Sequence, residues 1–349
     1  MAKRIDQLDG IRAIAIGAVF LHHALQIKLL WMGVDLFFIL SGFLITGVLL
    51  QKKDLSLRGY FGHFYSRRVR RILPPYLLML AVFSMIFGLA WTHFGYLHFF
   101  LMNVSFAFNI YNPEFFSPLW SLSVEEQFYF VWPFVVYFLS ESAVAWTAGA
   151  LIFIAPLLRG IGTVVINRHF AYLGHWPVYV LTPFRMDLLA MGALLCIAWR
   201  HHRGLIERYG HLALITTALA LVSLGAGSRI NGFSTHANTV EGNVWVYELS
   251  LVACTGLILW ALSGRGIRIL TLRPVGYLGR ISYSVYLIHV AVLLLVREHV
   301  NNKVVVMLLA LAITVLYASA SWFFLEKPIL REKPMSPDPS LVVYEKSQR

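Results

Sequence analysis

DGIRAIAIGAVFLHHAL, residues 9–25, decides the fold, because it is apolar almost all round yet carries an arginine and two histidines. A helix that is hydrophobic on every face is buried in a large core or spans a membrane. About 20 such residues cross a bilayer core of about 30 Å, and the segment has that length. Arg12 and His23 stand eleven positions apart. At 100° per residue they return to within about 20° of one face, roughly 16 Å apart along the axis. They therefore line one wall, whereas His22 points about 80° away. Ionisable groups at such depth usually face a cavity and mark a site or pathway. The plainer alternative is that His23 hydrogen-bonds a neighbouring helix, and position alone leaves both open.

The rest of the chain repeats this character. Of its 349 residues, 58% are hydrophobic and only 13% charged, and its mean hydropathy is +0.69. Soluble domains carry roughly twice that share of charge. The fold class expected is all-α, a polytopic transmembrane bundle of about ten spans. The spans fall at 12–30, 34–50, 73–92, 120–139, 143–159, 183–199, 210–227, 246–263, 281–296 and 303–325. Residues 94–110 are apolar and aromatic and would make an eleventh. Lys and Arg counts separate the two topologies, since an extra crossing swaps the side of every later loop. Ten spans with the N-terminus inside place 22 basic residues inside and 6 outside; eleven spans give 15 and 13. The positive-inside rule favours ten, with both termini cytoplasmic and residues 94–110 interfacial or re-entrant on the outer face.

The net charge of +12 suggests phosphate polymers at first sight. Its clustering between apolar runs is instead the pattern of membrane topology, so no nucleic-acid partner is expected. Cys196 and Cys254 both lie in apolar runs, where a thiol acts as a small hydrophobe, and no metal site is read. Lys3 and Arg4 precede the first apolar run without a small-residue cleavage site, so the segment reads as a retained helix. Residues 1–328 form the membrane domain. The polar, Pro-rich residues 329–349 are expected to be a disordered cytoplasmic tail.

Four further groups carry possible chemistry. In FYSRRVRRILPPY, residues 64–76, Arg67, Arg68, Arg70 and Arg71 precede Pro74 and Pro75 at the expected start of the third span. Proline suits a first helical turn, and arginines there suit phosphate; a topology anchor or lipid-headgroup contact is the alternative. In PLWSLSVEEQFYFVWPF, residues 118–134, Glu125 and Glu126 enter a span about 100° apart, and Glu125 shares a face with Tyr129. Asp35, near the start of the second span, competes with Glu125 as the carboxylate that orients His23. Arg185, Asp187 and His289 interrupt other apolar stretches. With Tyr129, they are the candidates for holding an acceptor.

DGIRAIAIGAVFLHHA, GVDLFFILSGFLIT, FYSRRVRRILPPY, LWSLSVEEQFYFVWP, FRMDLLAMG, LGRISYSVYLIHV and FFLEKP follow one another from residue 9 to 328. Together they resemble the acyltransferase 3 family. That resemblance implies ten membrane helices and transfer of an acyl group, acetyl by expectation, from cytoplasmic acyl-CoA. The acceptor would be a hydroxyl of a carbohydrate or glycolipid presented from the far side of the inner membrane. The family's Arg and His of the first helix fall on Arg12 and His23. Its RxxR element falls on Arg68 and Arg71, which would bind the phosphates of coenzyme A, assisted by Arg67 and Arg70. Some relatives carry a soluble domain after the last span, so a separate extracytoplasmic transferase is an expected partner, with a homo-oligomer as another. His23 would act as general base, or form a covalent acyl-histidine; nothing in the sequence chooses. The rival from another class is a transporter or lipid-binding scaffold.

Overall fold

The computed structural model describes residues 5–88, 99–110 and 114–330. The expected tail lies outside the described residues except at its first two positions, and the interfacial element lies partly outside them. Among the described residues, ten helices of fifteen residues or more run in order: α1 Asp6–Leu25, α2 Gly33–Gln51, α3 Leu57–Phe87, α4 Leu119–Phe138, α5 Glu141–His169, α6 Met186–Tyr209, α7 Ala213–Gly227, α8 Tyr247–Ser263, α9 Arg273–His299 and α10 Lys303–Ser321. Each expected span overlaps one of them, and no strand occurs among the described residues. Among the described residues, eight stretches are long and apolar enough to cross a membrane by length and composition. There α6 and α7 count as one run, and α4 is absent because Glu125, Glu126 and Gln127 lower its hydropathy.

The outward faces are apolar. Phe153 and Leu157 on α5, Leu219 and Val222 on α7, and Leu308 and Leu316 on α10 are all exposed. Contiguous exposed hydrocarbon on this scale marks a lipid-facing surface.

The largest boundary difference is in α3. It starts at Leu57, where the Ser56 hydroxyl accepts the Gly59 N–H at 3.3 Å as N-cap. Pro74 and Pro75 are therefore interior rather than in the first turn. Hydropathy registers only the apolar part of a helix, and arginine is a good helix former, so the basic turns extend the helix beyond that part.

Two helix pairs position the site. On α1 and α9, Gly279 meets Asp9, His289 meets His23, and Arg297 reaches Ala24, so the two helices run in the same direction. A side chain at Gly279 would collide with the Asp9 carbonyl, and a close backbone approach of this kind requires glycine. On α2 and α6 the same reasoning applies to Gly42, which lies against the Leu189 carbonyl. That contact brings Asp35 to Arg185 one turn or two away.

Candidate active site

A cavity of about 700 Å³ opens between α1, α2, α3, α4 and α9. Arg12 enters it from α1, and Arg68 and Arg71 enter from α3. The spacing i, i+3 puts the last two on one helix face. Arg67 and Arg70 fall on the other side of the helix; both are exposed and neither lines the cavity. None of the three inward guanidiniums makes a hydrogen bond or ion pair among the described residues, although Arg12 and Arg71 are close enough for their charges to act on each other. Arg68 lies over the Tyr129 ring, 5.8 Å from its centroid. Two carboxylates line the cavity with the arginines, Glu125 and Glu126, and the oxygens of Glu125 are already engaged. Ser41 donates to Oε1 at 2.5 Å and Tyr129 to Oε2 at 3.0 Å. Three guanidiniums gathered with no hydrogen-bonded carboxylate among the described residues are suited to an anion with several oxygens, such as a diphosphate.

Tyr286 closes the other side of the cavity. The Ser121 hydroxyl donates to the Pro118 carbonyl at 3.1 Å, so across the 2.5 Å contact Tyr286 donates to Ser121. Behind Tyr286 stands a pair of histidines. His289 Nδ1 lies 2.8 Å from the Tyr286 carbonyl, and its Nε2 lies 3.2 Å from His23 Nδ1. His23 Nδ1 is also 2.9 Å from the Val19 carbonyl. Arg297 donates to the carbonyl of His23 at 2.6 Å and to that of Ala24 at 3.3 Å. There it satisfies the end of α1 and complements its dipole.

The carboxylates expected beside His23 are elsewhere. Glu125 is bonded as described, and Asp35 is fully buried in an ion pair with Arg185, with Ser250 donating to its other oxygen at 2.6 Å. Among the described residues neither carboxylate bonds His23; its side-chain partner is His289. Arg185 lies within 6 Å of five aromatic rings, nearest Tyr247 at 4.7 Å. Asp187 pairs with Arg159 at 2.8 Å, and Arg159 also pairs with Glu248. Arg185, Asp187 and Arg159 do not line the cavity.

Comparison with known proteins follows this geometry. A family model described as an acyltransferase domain matches residues 5–324. The chain belongs to the acyltransferase 3 family. O-acetyltransferase OatA of Staphylococcus aureus is 26% identical to it over 360 residues, covering 95% of this chain and 58% of that protein. Peptidoglycan O-acetyltransferase OatA of Listeria monocytogenes is 28% identical over 362 residues, covering 94% of this chain and 56% of that protein. The chain thus spans less than two thirds of the length of these relatives. No solved structure matches it. Family membership and the apolar helices together make it a multi-pass membrane protein.

For this acyltransferase 3 protein the structure gathers Arg12, Arg68, Arg71, Glu125 and Tyr129 into one cavity, and sets His23 and His289 against each other beyond it. Asp35 with Arg185, and Asp187 with Arg159, form two buried ion pairs apart from it. Ser121 and Tyr286 belong to the site region but give no signal in sequence, because isolated hydroxyls are common in apolar helices. Arg159 is a clearer omission. Counted with the outer charges, it is instead fully buried within α5, and its place in ALIFIAPLLRG, residues 150–160, is the signal that marks it. Of the aromatics in the expected outer loops, Phe116 is buried and Phe115 stacks on Phe87 at 4.4 Å. Tyr179 packs on Trp120, while Phe170, Tyr172 and Trp176 are exposed.

Proposed function

We propose that the protein moves an acetyl group from acetyl-CoA, bound from the cytoplasmic side, to a hydroxyl of an envelope polysaccharide of the peptidoglycan class at the outer face of the inner membrane. The observation that carries this reading is the cavity lined by Arg12, Arg68 and Arg71, none of which makes a hydrogen bond or ion pair among the described residues. In it the diphosphate and ribose phosphate of coenzyme A would take the hydrogen bonds and counter-charge that the protein does not supply. Acetyl-CoA is the donor because its phosphates fit that cluster and its pantetheine arm is long enough to reach from Arg12 toward His23, roughly 16 Å along α1. The parallel run of α1 and α9 supports ten crossings with both termini on one side, since one extra crossing after α3 would make that pair antiparallel, and the excess of Lys and Arg in the loops on that side favours the cytoplasm. The names of both relatives support acetyl as the group, and that of the Listeria monocytogenes relative supports peptidoglycan as the acceptor.

In this mechanism His23 takes the proton of the acceptor hydroxyl as that oxygen attacks the thioester carbonyl. The new C–O bond forms, the C–S bond breaks, and the proton passes from His23 to the departing sulfur, so acetyl ester and free coenzyme A leave with no net proton. A covalent acetyl-histidine would use the same nitrogen, and would appear as a burst of free coenzyme A without acceptor.

The test is purified His23→Ala with radiolabelled acetyl-CoA and peptidoglycan fragments. Loss of a general base costs about 10²- to 10⁴-fold, and a loss in that range is expected. Turnover near that of the wild type would refute the assignment.

A further inference from the structure

We propose that His289 is a positioning residue that, together with the Val19 carbonyl, holds the His23 proton on Nδ1 and leaves His23 Nε2 bare for reaction. This rests on the reading that His23 reacts, and it supplies the orienting group that neither Asp35 nor Glu125 provides.

The hydrogen-bond chain fixes the protons one at a time. A backbone carbonyl can only accept, so the Tyr286 carbonyl, 2.8 Å from His289 Nδ1, requires a proton on that nitrogen. In the neutral ring Nε2 of His289 is then an acceptor. It faces His23 Nδ1 at 3.2 Å, and a nitrogen–nitrogen contact of that length needs one donor and one acceptor. The donor must be His23 Nδ1, whose second neighbour, the Val19 carbonyl at 2.9 Å, is again only an acceptor. Two acceptors thus share one His23 proton. In neutral His23 the remaining nitrogen, Nε2, carries only its lone pair, the form a general base or a nucleophile needs.

The charged and titratable groups facing the pair are His22 on α1, whose ring is 5.0 Å from that of His23, and Arg297 on α9, bonded to the His23 carbonyl. No carboxylate among the described residues bonds either ring. The pair therefore fixes the tautomer without the fixed negative charge that an aspartate would bring. Tyr286 joins the two halves of the site: its side chain lines the donor cavity and its carbonyl holds His289.

The direct test is nitrogen–proton NMR on histidine-labelled wild-type protein in detergent, with His23 and His289 assigned from single variants. Both rings are expected as the Nδ1–H form, and His23 observed as the Nε2–H form would overturn the proposal. Kinetics give a second test. His289→Ala removes one of the two acceptors and should lower kcat roughly 10- to 100-fold, less than the loss of about 10⁴-fold when a base loses its sole orienting partner. KM for acetyl-CoA should stay unchanged. His289→Gln, whose amide oxygen can accept the same proton, should recover at least about tenfold of that loss. Equal impairment of the two variants, or wild-type kcat in His289→Ala while His23→Ala is inactive, would sink the positioning role alone. An active His23→Ala would remove the base reading beneath it.

Discussion

Two sets of arginines in one bundle have opposite fates. Arg159 and Arg185 are fully buried and each is matched by carboxylates: Asp187 and Glu248 for the first, Asp35 for the second. Arg12, Arg68 and Arg71 line a cavity and are matched by none among the described residues. Burying a charge is costly unless it is paired, so the first set is tolerable only as part of the fold. The second avoids the full cost by facing an open space, and its unmet charge is available to a ligand. The difference separates arginines that hold the bundle together from those that can recognise a substrate, although both interrupt apolar helices.

The contrast breaks most readily through stability. Arg185→Leu strands Asp35 as an uncompensated buried charge and should cost about 3–5 kcal/mol. Arg68→Ala should cost no more than about 1 kcal/mol, since it breaks no hydrogen bond or ion pair and gives up only its place over the Tyr129 ring. Thermal unfolding of the purified variants in detergent checks both, and equal losses would erase the distinction. Donor binding sharpens it next. Arg68→Ala and Arg71→Ala each remove charge-assisted bonds worth about 1.5–3 kcal/mol and should weaken acetyl-CoA binding roughly 10- to 100-fold. Arg67→Ala and Arg70→Ala, on the exposed side of α3, should leave it within about twofold, because screened surface charges contribute little. A smaller effect is expected from Glu125→Gln. The charge it removes faces Arg12 and Arg68, so affinity for coenzyme A should rise a few-fold, read by the same titration. A fall in affinity would show that Glu125 holds the arginines in place instead.

The smallest effect lies at the far end of the bundle. Burial, then the neighbouring His236, holds the pKa of His175 at about 4. A histidine depressed in the folded state stabilises the fold while neutral. That contribution declines as pH falls from the ordinary value of about 6.5 and is lost toward 4. His175 stacks on Trp176 at 4.8 Å and its Nε2 lies 3.2 Å from His236. Protease resistance of the segment 170–182 should therefore fall over that range, and resistance unchanged down to pH 4 would contradict it.

Sequence carried the membrane class, the order of the long helices and the shared face of Arg12 and His23, because each follows from local periodicity. The RxxR pair came from the family resemblance, while the residues alone offered four arginines alike. Helical phase alone separates Arg68 and Arg71 from Arg67 and Arg70, a division that became visible only when α3 proved continuous through the cluster. Contacts across the bundle were not legible. Asp35 meets Arg185 across 150 positions and His23 meets His289 across 266. No local pattern distinguishes a carboxylate that will pair with a distant arginine from one that will orient a histidine. Proline misled at α3 for a related reason: its preference for a first turn is a tendency, and the Ser56 cap decides where that helix begins.

The most direct test is a thermal-shift titration with acetyl-CoA at low salt, on wild-type protein and on the Arg68→Ala, Arg71→Ala double variant. Ligand that binds the folded state raises its melting temperature with concentration. The wild type is predicted to show that rise, and the double variant to show none over the same range. No response in the wild type, or an equal response in both, would contradict the assignment of the unpaired arginines to the donor.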